Sequence, residues 1–537
     1  MPPKPLVALT FLLLMATAYA AITQEPAARP YELRDGRWFD GARFVLEDLY
    51  AENGVFSQQQ PGRVDPVTNH DTSSQNKERL ERFEQQVDDF RTLLRIPGMS
   101  AVIIKDQKLL WANGFGFADV EGRVPATPET VYHIASFTKT FAATLVMQLV
   151  EQGKLDLNEP MSHYSGDFKD ESVRIKHLLT HTSGGPTPGE NFEYDGARFD
   201  YLTAVIEKKT GKPFREVIVK TFLDPLAMSS SVPGASVVDS ADKWVTMLGK
   251  ENLDRYREDL SRQAKPYTLY GDSEIVPVAY PPKVFGAAAG LLSTVLDMAK
   301  FDIAIDRHVF LKKATQEKAW TPFISTGGQR LPYGFGWFVE DDHGVRLIWH
   351  TGHWGTGFSG IYLKVPEKNL SLVLLANSEA LADHIYLADE KPVAWIITRN
   401  VFACSFLRLF VFDDKPSGCE RDSQAALASW REHRRARARV AVKLDPDVLE
   451  AYVGQYKFET FDRILTVTRD GARLFVDIPR KYRNELFPES ESKFFLKTYP
   501  DVQITFEKDG RQGDSPGLHR KWGDDAREED QISHLLR

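Results

Sequence analysis

The chain has 537 residues, 42% of them hydrophobic and 26% charged, and carries a formal net charge of −8. That is the make-up of an ordinary soluble globular protein, long enough for two or three domains rather than one core. The mildly acidic balance argues against nucleic acid as the main partner, because neutralising phosphates takes concentrated positive charge.

The first residues, MPPKPLVALTFLLLMATAYAAITQ, combine one lysine, an apolar stretch over 6–16 and Ala18-Tyr19-Ala20. This is the pattern of a secretory signal cleaved after Ala20, and the apolar stretch is short for a membrane span; an uncleaved anchor is the alternative. Residues 1–20 are therefore expected to be a signal peptide, and the protein to be secreted or periplasmic. No integral membrane partner is implied. Residues 21–76 form an N-terminal extension in which DGRWFDGARFVLEDLYAENGVF reads as short strands with a turn at Asp40-Gly41. That fragment is similar to the strands that open some amidohydrolases, but no H-x-H metal pair follows it. Lys77 to Arg95 places Leu80, Phe83, Val87, Phe90 and Leu94 at helical spacing, which predicts an amphipathic helix.

IPGMSAVIIKDQKLLWANGFGFADV alternates as two strands around Lys105-Asp106-Gln107. The segment HIASFTKTFAATLVMQLVEQGKLDL follows, starting at His133. Its Ser136 and Lys139 stand at i and i+3, on one helix face, so the lysine nitrogen can reach the serine oxygen. They sit where a helix begins, among unpaired N–H groups that favour negative charge. A capping serine with a solvated lysine would show the same S-x-x-K, so the motif alone does not decide. A helix-rich stretch runs to about Thr326, and strands return at LPYGFGWFVE, VRLIWHTGH, GFSGIYLKV and LSLVLLANS. Strands flanking a helical insertion imply a two-part α+β body with a cleft.

Ala380 to Val401 is expected to close this body with a helix, giving a domain over 77–410. Residues 411–443 read as a linker, and their basic run WREHRRARARV as the solvated face of a linker helix. Residues 444–537 are short alternating segments punctuated by D-G turns, which fits a small antiparallel barrel or sandwich. Cys404 and Cys419 are the two cysteines. They either form one bridge in an oxidising compartment or remain thiols.

The stretch from IPGMSAVIIKDQ to YHIASFTKTFAA resembles the start of the serine β-lactamase-like family, which covers class C β-lactamases, DD-carboxypeptidases, D-aminopeptidases and related esterases. IKHLLTHTSGG, YDGARFDYLTAVIEKKTGKPF, FLDPLAMSSS, AAAGLLSTVLDMAKF, LPYGFGWFV and WHTGHWGTGFSGIYLKVPEKNLSLVLLANS follow in the family's order. The resemblance implies an α+β body of the β-lactamase/transpeptidase type, an antiparallel sheet flanked by helices plus a helical subdomain. The tail from Leu444 resembles the small β-barrel domain that often follows such bodies, there for stability, for attachment or to cover the cleft.

By the same resemblance Ser136 is the nucleophile, Lys139 its base and Tyr194 a proton relay. His350-Thr351-Gly352 is the third element. The N–H groups of His353 and Ser136 would form an oxyanion hole, Gly352 would admit the substrate, and His350 would orient Tyr194 or meet a substrate carboxylate. A small-molecule or short-peptide substrate is implied, with no cofactor and no metal. His177 and His181 stand four apart as zinc ligands on a helix would, but lack the glutamate of H-E-x-x-H and fall in a structural stretch of the family. Ser293-Thr294-x-x-Asp297 reads as a helix start with a cap.

One motif departs from the family. Its usual Y-x-N is Tyr194-Asp195-Gly196 here. The missing asparagine would bond the lysine and the substrate's amide carbonyl; Asp195 and Asn191 are the candidates to replace that contact. The loss, worth about 1–3 kcal/mol for an unpaired partner, falls on penicillins and acyl-D-Ala peptides more than on esters. An esterase or specialised peptidase is expected, a weak β-lactamase at most. The alternative is a catalytically degenerate protein that binds peptide or cell-wall fragments.

Overall fold

Residues described by the computed structural model are 31–39, 44–52, 55–57, 74–169, 171–239, 241–271, 273–386, 395–458, 463–477, 483–499, 502–507 and 517–519. The expected signal peptide and the Asp40-Gly41 turn lie outside them. Residues 1–65 and 66–537 form two units. The first holds an antiparallel sheet of three consecutive strands, Tyr31–Phe39, Phe44–Glu52 and Val55–Ser57.

The second unit is organised by a seven-stranded sheet. Its order is Phe338–Asp342, Val345–Trp354, Phe358–Val365, Leu370–Ala376, Gly98–Lys105, Lys108–Asp119 and Val124–Pro125. The chain therefore starts the sheet with a hairpin, leaves it for the helical part, and returns to close it by pairing Leu370–Ala376 with Gly98–Lys105. The hairpin turns at Asp106 and Gln107, both with positive φ, the backbone of a two-residue turn that follows strand twist.

Because successive strand residues face opposite ways, the sheet separates two apolar layers. Val102 and Ile104 pack with Phe141 of the helix Thr138–Glu151 and Phe301 of the helix Val295–Asp306. Phe141 and Phe301 stack with ring centres 3.8 Å apart. Ala101 and Ile103 face the other way, toward Phe83 and Val87 of the helix Ser74–Leu93 and toward Phe402 and Phe406 of Val401–Phe410. The amphipathic helix expected over Lys77–Arg95 is thus present, its apolar face turned to the sheet. Between the sheet and the helix Val295–Asp306 a buried cation is enclosed: Lys364 Nζ pairs with Asp302 and, at 2.9 Å, with Asp306, and donates to Ser371 Oγ at 3.0 Å.

The end of the body differs from the single expected helix. Ala380–Tyr386 and Val401–Phe410 are separate helices, with 387–394 outside the described residues. A third helix, Cys419–Arg437, occupies much of the stretch read as a linker, and a Cys404–Cys419 disulfide ties its first residue to the helix before it. Leu427 and Trp430 belong to the same apolar layer as Phe402. The basic run divides accordingly: Arg435 is exposed, as a solvated face requires, whereas Arg434 turns inward to Glu379 and Asp383.

From Gly454 to His519 an antiparallel half-barrel of seven strands follows in simple sequence order. It docks on the hairpin formed by Tyr267–Tyr270 and Glu274–Pro277. Tyr270 stacks on Phe495 at 5.9 Å, and Lys497 pairs with Glu274 at 2.6 Å. Tyr499 hydrogen-bonds Thr356, in the turn that follows the strand Val345–Trp354.

Candidate active site

Ser136 lies in a short 3-10 turn, Ala135–Phe137, that runs directly into the helix Thr138–Glu151. The turn is set by its predecessor. His133 Nδ1 accepts the Ala135 N–H at 3.2 Å, and Ala135 takes a left-handed φ of 46°, a conformation that costs a Cβ-bearing residue about 1–2 kcal/mol. Three residues on, Lys139 Nζ donates to Ser136 Oγ at 2.9 Å and to the Ala288 carbonyl at 2.9 Å. Lys139 is 1% exposed. Burial pushes its amine down to about 7, against the opposing pull of Asp200 and Asp195. An amine bonded to a serine hydroxyl and half-deprotonated near neutrality can accept that hydroxyl's proton.

The carbonyl partner is itself fixed. Asp200 Oδ1 accepts the Ala288 N–H at 3.0 Å and Thr203 Oγ1 accepts the Ala287 N–H at 2.8 Å. Asp200 and Ala288 were missed in the sequence, since a backbone acceptor has no residue signature.

Tyr194 places its ring centre 5.1 Å from Lys139 Nζ, with Phe199 at 5.4 Å. The Tyr194 ring is held between His181 at 4.2 Å and Trp395 at 4.8 Å. Asp195 is placed differently from its expected role as a substrate contact. Its carboxylate caps the helix Gly196–Asp200, accepting from the Arg198 N–H at 2.9 Å, and its own N–H donates to His181 Nδ1 at 3.1 Å. Asn191 is exposed. Gly196 stands beside the lysine: a Cβ there would lie 3.6 Å from Nζ, with no other neighbour within 4 Å. His177 Nδ1 accepts the Arg174 N–H at 3.1 Å, so the two histidines spaced like zinc ligands serve different backbone donors.

The strand Val345–Trp354 carries His350, Thr351, Gly352 and His353. It pairs with Phe358–Val365 from Ile348 to its end at Trp354, but with Phe338–Asp342 only as far as Trp349. Residues 350–354 therefore present one edge to which the neighbouring strand adds no ladder. Gly352 is required there, because a Cβ would sit 2.6 Å from the Ile134 carbonyl, just before the Ser136 turn. His350 is fully buried. Its Nδ1 lies 2.7 Å from the Thr351 carbonyl and so carries the proton; Nε2 then accepts from the Tyr333 hydroxyl at 2.9 Å. Burial, reinforced by Lys139, drives His350 down to about 3, so the ring is neutral. Both nitrogens are engaged within the protein, and neither is directed at Tyr194 or open to a substrate carboxylate. Tyr333 belongs to LPYGFGWFV, a segment legible as a family match but without an assigned role.

The family model for beta-lactamase matches residues 83–391, more than half of the chain. The chain belongs to the beta-lactamase family. Its body is that of the β-lactamase and penicillin-binding-protein-like serine hydrolases, and residues 438–531 match a domain of unknown function, DUF3471. Penicillin-binding protein 4* of Bacillus subtilis (strain 168) is 22% identical over 439 residues, 75% of this chain and 88% of that protein. Protein flp of Staphylococcus aureus (strain MRSA252) is 27% identical over 324 residues, 52% of this chain and 60% of that protein. The octameric penicillin-binding protein homologue from Pyrococcus abyssi shares the fold, with a TM-score of 0.51 at 24% identity over 80% of this chain and 94% of that one. Among the described residues no helix is long and apolar enough to cross a membrane.

Proposed function

We propose that this member of the beta-lactamase family is a serine hydrolase that acts through an acyl-enzyme on Ser136, with carboxylate-free esters as its favoured acyl donors and small amides as poorer ones. The observation that carries the reading is the 2.9 Å bond between a buried Lys139 amine, held near neutrality, and Ser136 Oγ. Lys139 takes the hydroxyl proton as Oγ attacks the acyl carbon. The oxyanion is received by the N–H groups of Ser136 and His353, each such donor typically worth ~10²–10³ in rate. Tyr194, ring against the lysine amine, passes the proton to the leaving oxygen as its bond to the acyl carbon breaks. Water then attacks the acyl-enzyme, giving its proton back along the same route, and the acid leaves. His350 is a positioning residue in this scheme, supporting the strand through Tyr333.

Two features favour esters. Gly196 supplies no amide to a substrate carbonyl, and His350, neutral with both nitrogens engaged, supplies no charge to a substrate carboxylate. Penicillins and acyl-D-Ala peptides carry both groups. The relatives named penicillin-binding proteins make those reagents the necessary comparison. The bonded cysteine pair suits an oxidising compartment, which agrees with export through residues 1–20.

Intact-protein mass spectrometry tests the reading. Wild type and Ser136→Ala are incubated with a short p-nitrophenyl ester, a penicillin and an acyl-D-Ala-D-Ala peptide. An ester adduct on wild type alone is expected. No adduct from any reagent on folded protein would leave a binding protein as the better reading.

A further inference from the structure

The helix Cys419–Arg437 falls between the spans of the two family models, yet two of its side chains converge on one carboxylate of the body. Trp430 Nε1 donates to Asp383 Oδ2 at 2.7 Å, and Arg434 Nη2 donates to the same oxygen at 2.9 Å. Arg434 lies over the Trp430 ring at 5.0 Å, pairs with Glu379 at 2.6 Å and donates to the Leu269 carbonyl. Glu379 is held in turn by Thr268 Oγ1 at 2.7 Å. Burial alone would push the Asp383 carboxyl up, but Arg434, His353 and Trp430 hold it well below the usual carboxylate range. It is a fixed anion.

Its second oxygen, Asp383 Oδ1, faces His353 Nε2 at 3.5 Å. The strand geometry says where that side chain points. Gly352 turns its Cα face toward the Ile134 carbonyl beside Ser136, so the next residue projects from the opposite face of the sheet. The His353 side chain therefore stands behind the sheet beside the Asp383 carboxylate, while its peptide belongs to the edge strand next to the Ser136 turn. A side chain placed against a fixed anion favours one tilt of its own peptide plane, and with it one direction of the N–H.

We propose that Trp430, Arg434 and Asp383 are positioning residues for the oxyanion edge, holding the His353 peptide in register with Ser136 through its side chain. The helix is thereby part of the catalytic architecture. This rests on the reading of the His353 N–H as an oxyanion donor.

The test uses full-length mature protein and a short p-nitrophenyl ester, with kcat, KM and thermal midpoint measured together. Asp383→Asn and His353→Ala are each expected to lower kcat about tenfold, because small misplacements of a catalytic group are costly in rate, with KM within about twofold. The double variant should be no slower than either single one, since both break the same contact. Val467→Ala, which thins the core of the half-barrel away from this helix, should lower the midpoint and leave kcat unchanged. Should Asp383→Asn fail to fold, Trp430→Phe keeps the ring and removes one N–H, and a severalfold loss of kcat without loss of midpoint is expected. Active wild type with folded variants that keep kcat, or losses that multiply in the double variant, overturn the proposal alone. Wild type with neither turnover nor a Ser136 adduct overturns the hydrolase reading and this proposal with it.

Discussion

Gly196 stands against the buried Lys139 amine: a Cβ on residue 196 would lie 3.6 Å from Lys139 Nζ, in ordinary contact distance and with no other non-neighbouring atom within 4 Å. The first atom of the asparagine that the Y-x-N pattern would place there thus meets no clash. Gly196→Asn is expected to raise the rate of Ser136 acylation by a penicillin about tenfold or more, the worth of one recovered hydrogen bond to a buried partner, while ester turnover changes less than about threefold. Mass-spectrometric acylation rates decide it. Equal penicillin rates in the two proteins would mean that something other than the missing amide excludes β-lactams.

Lys139 must be neutral to take a proton, and its amine sits near pH 7. Ester kcat/KM is therefore expected to rise with pH through an apparent pKa of about 7 and level off above it. Asp200 opposes the burial that lowers this amine, so Asp200→Asn should move the rising limb to lower pH. A limb that stays in place, or moves up, would exclude Lys139 as the titrating base. His350, already neutral at these pH values, should leave the limb unaltered when replaced by glutamine.

Ala135 holds a left-handed backbone immediately before Ser136. Glycine removes a penalty of about 1–2 kcal/mol but adds roughly 0.5–1 kcal/mol of unfolded-chain freedom. Ala135→Gly is thus expected to stabilise the fold by up to about 1.5 kcal/mol in urea titration. It should also slow acylation, since the turn that aims Ser136 loses its stiffness. Lower stability would show that the His133 contact already relieves the strain.

The buried cation between sheet and helix makes a different demand. Lys364 is enclosed with Asp302 and Asp306, and removing a partner leaves charge uncompensated. Lys364→Met, which leaves Asp302 and Asp306 without their cation, should cost about 3–5 kcal/mol. Replacing Lys364 and Asp302 together by methionine and leucine leaves only the partly exposed Asp306 and should cost much less. Calorimetry on both variants separates a pair needed for stability from one needed only for matched burial.

The local parts of the site were legible in the sequence because their geometry is local. Ser136 and Lys139 meet through helical spacing alone, and the short apolar run GMSAVIIK, ended by Lys105-Asp106-Gln107, made a strand buried on both faces visible. The parts that escaped notice are those joined by tertiary packing. Arg434 and Asp383 stand in different segments with no shared pattern, and WREHRRARARV reads as a surface run until its inward face is known. His350 misled for a related reason: H-x-G announces a histidine near the nucleophile but not which way its nitrogens are bonded. Asp195 next to Tyr194 looked like a substrate contact, yet an aspartate just before a helix caps it more readily than it reaches outward.

The Cys404–Cys419 bond closes a loop of sequence separation 15, and in a chain-entropy account a loop of that size is worth about 3 kcal/mol by restricting the unfolded chain. Its effect is therefore felt before the native contacts exist. A chain synthesised where thiols stay reduced must find the Trp430 and Arg434 docking from a freely searching segment, whereas an oxidised chain begins that search already tethered. The yield of folded protein, more than its final activity, should record the compartment in which it was made.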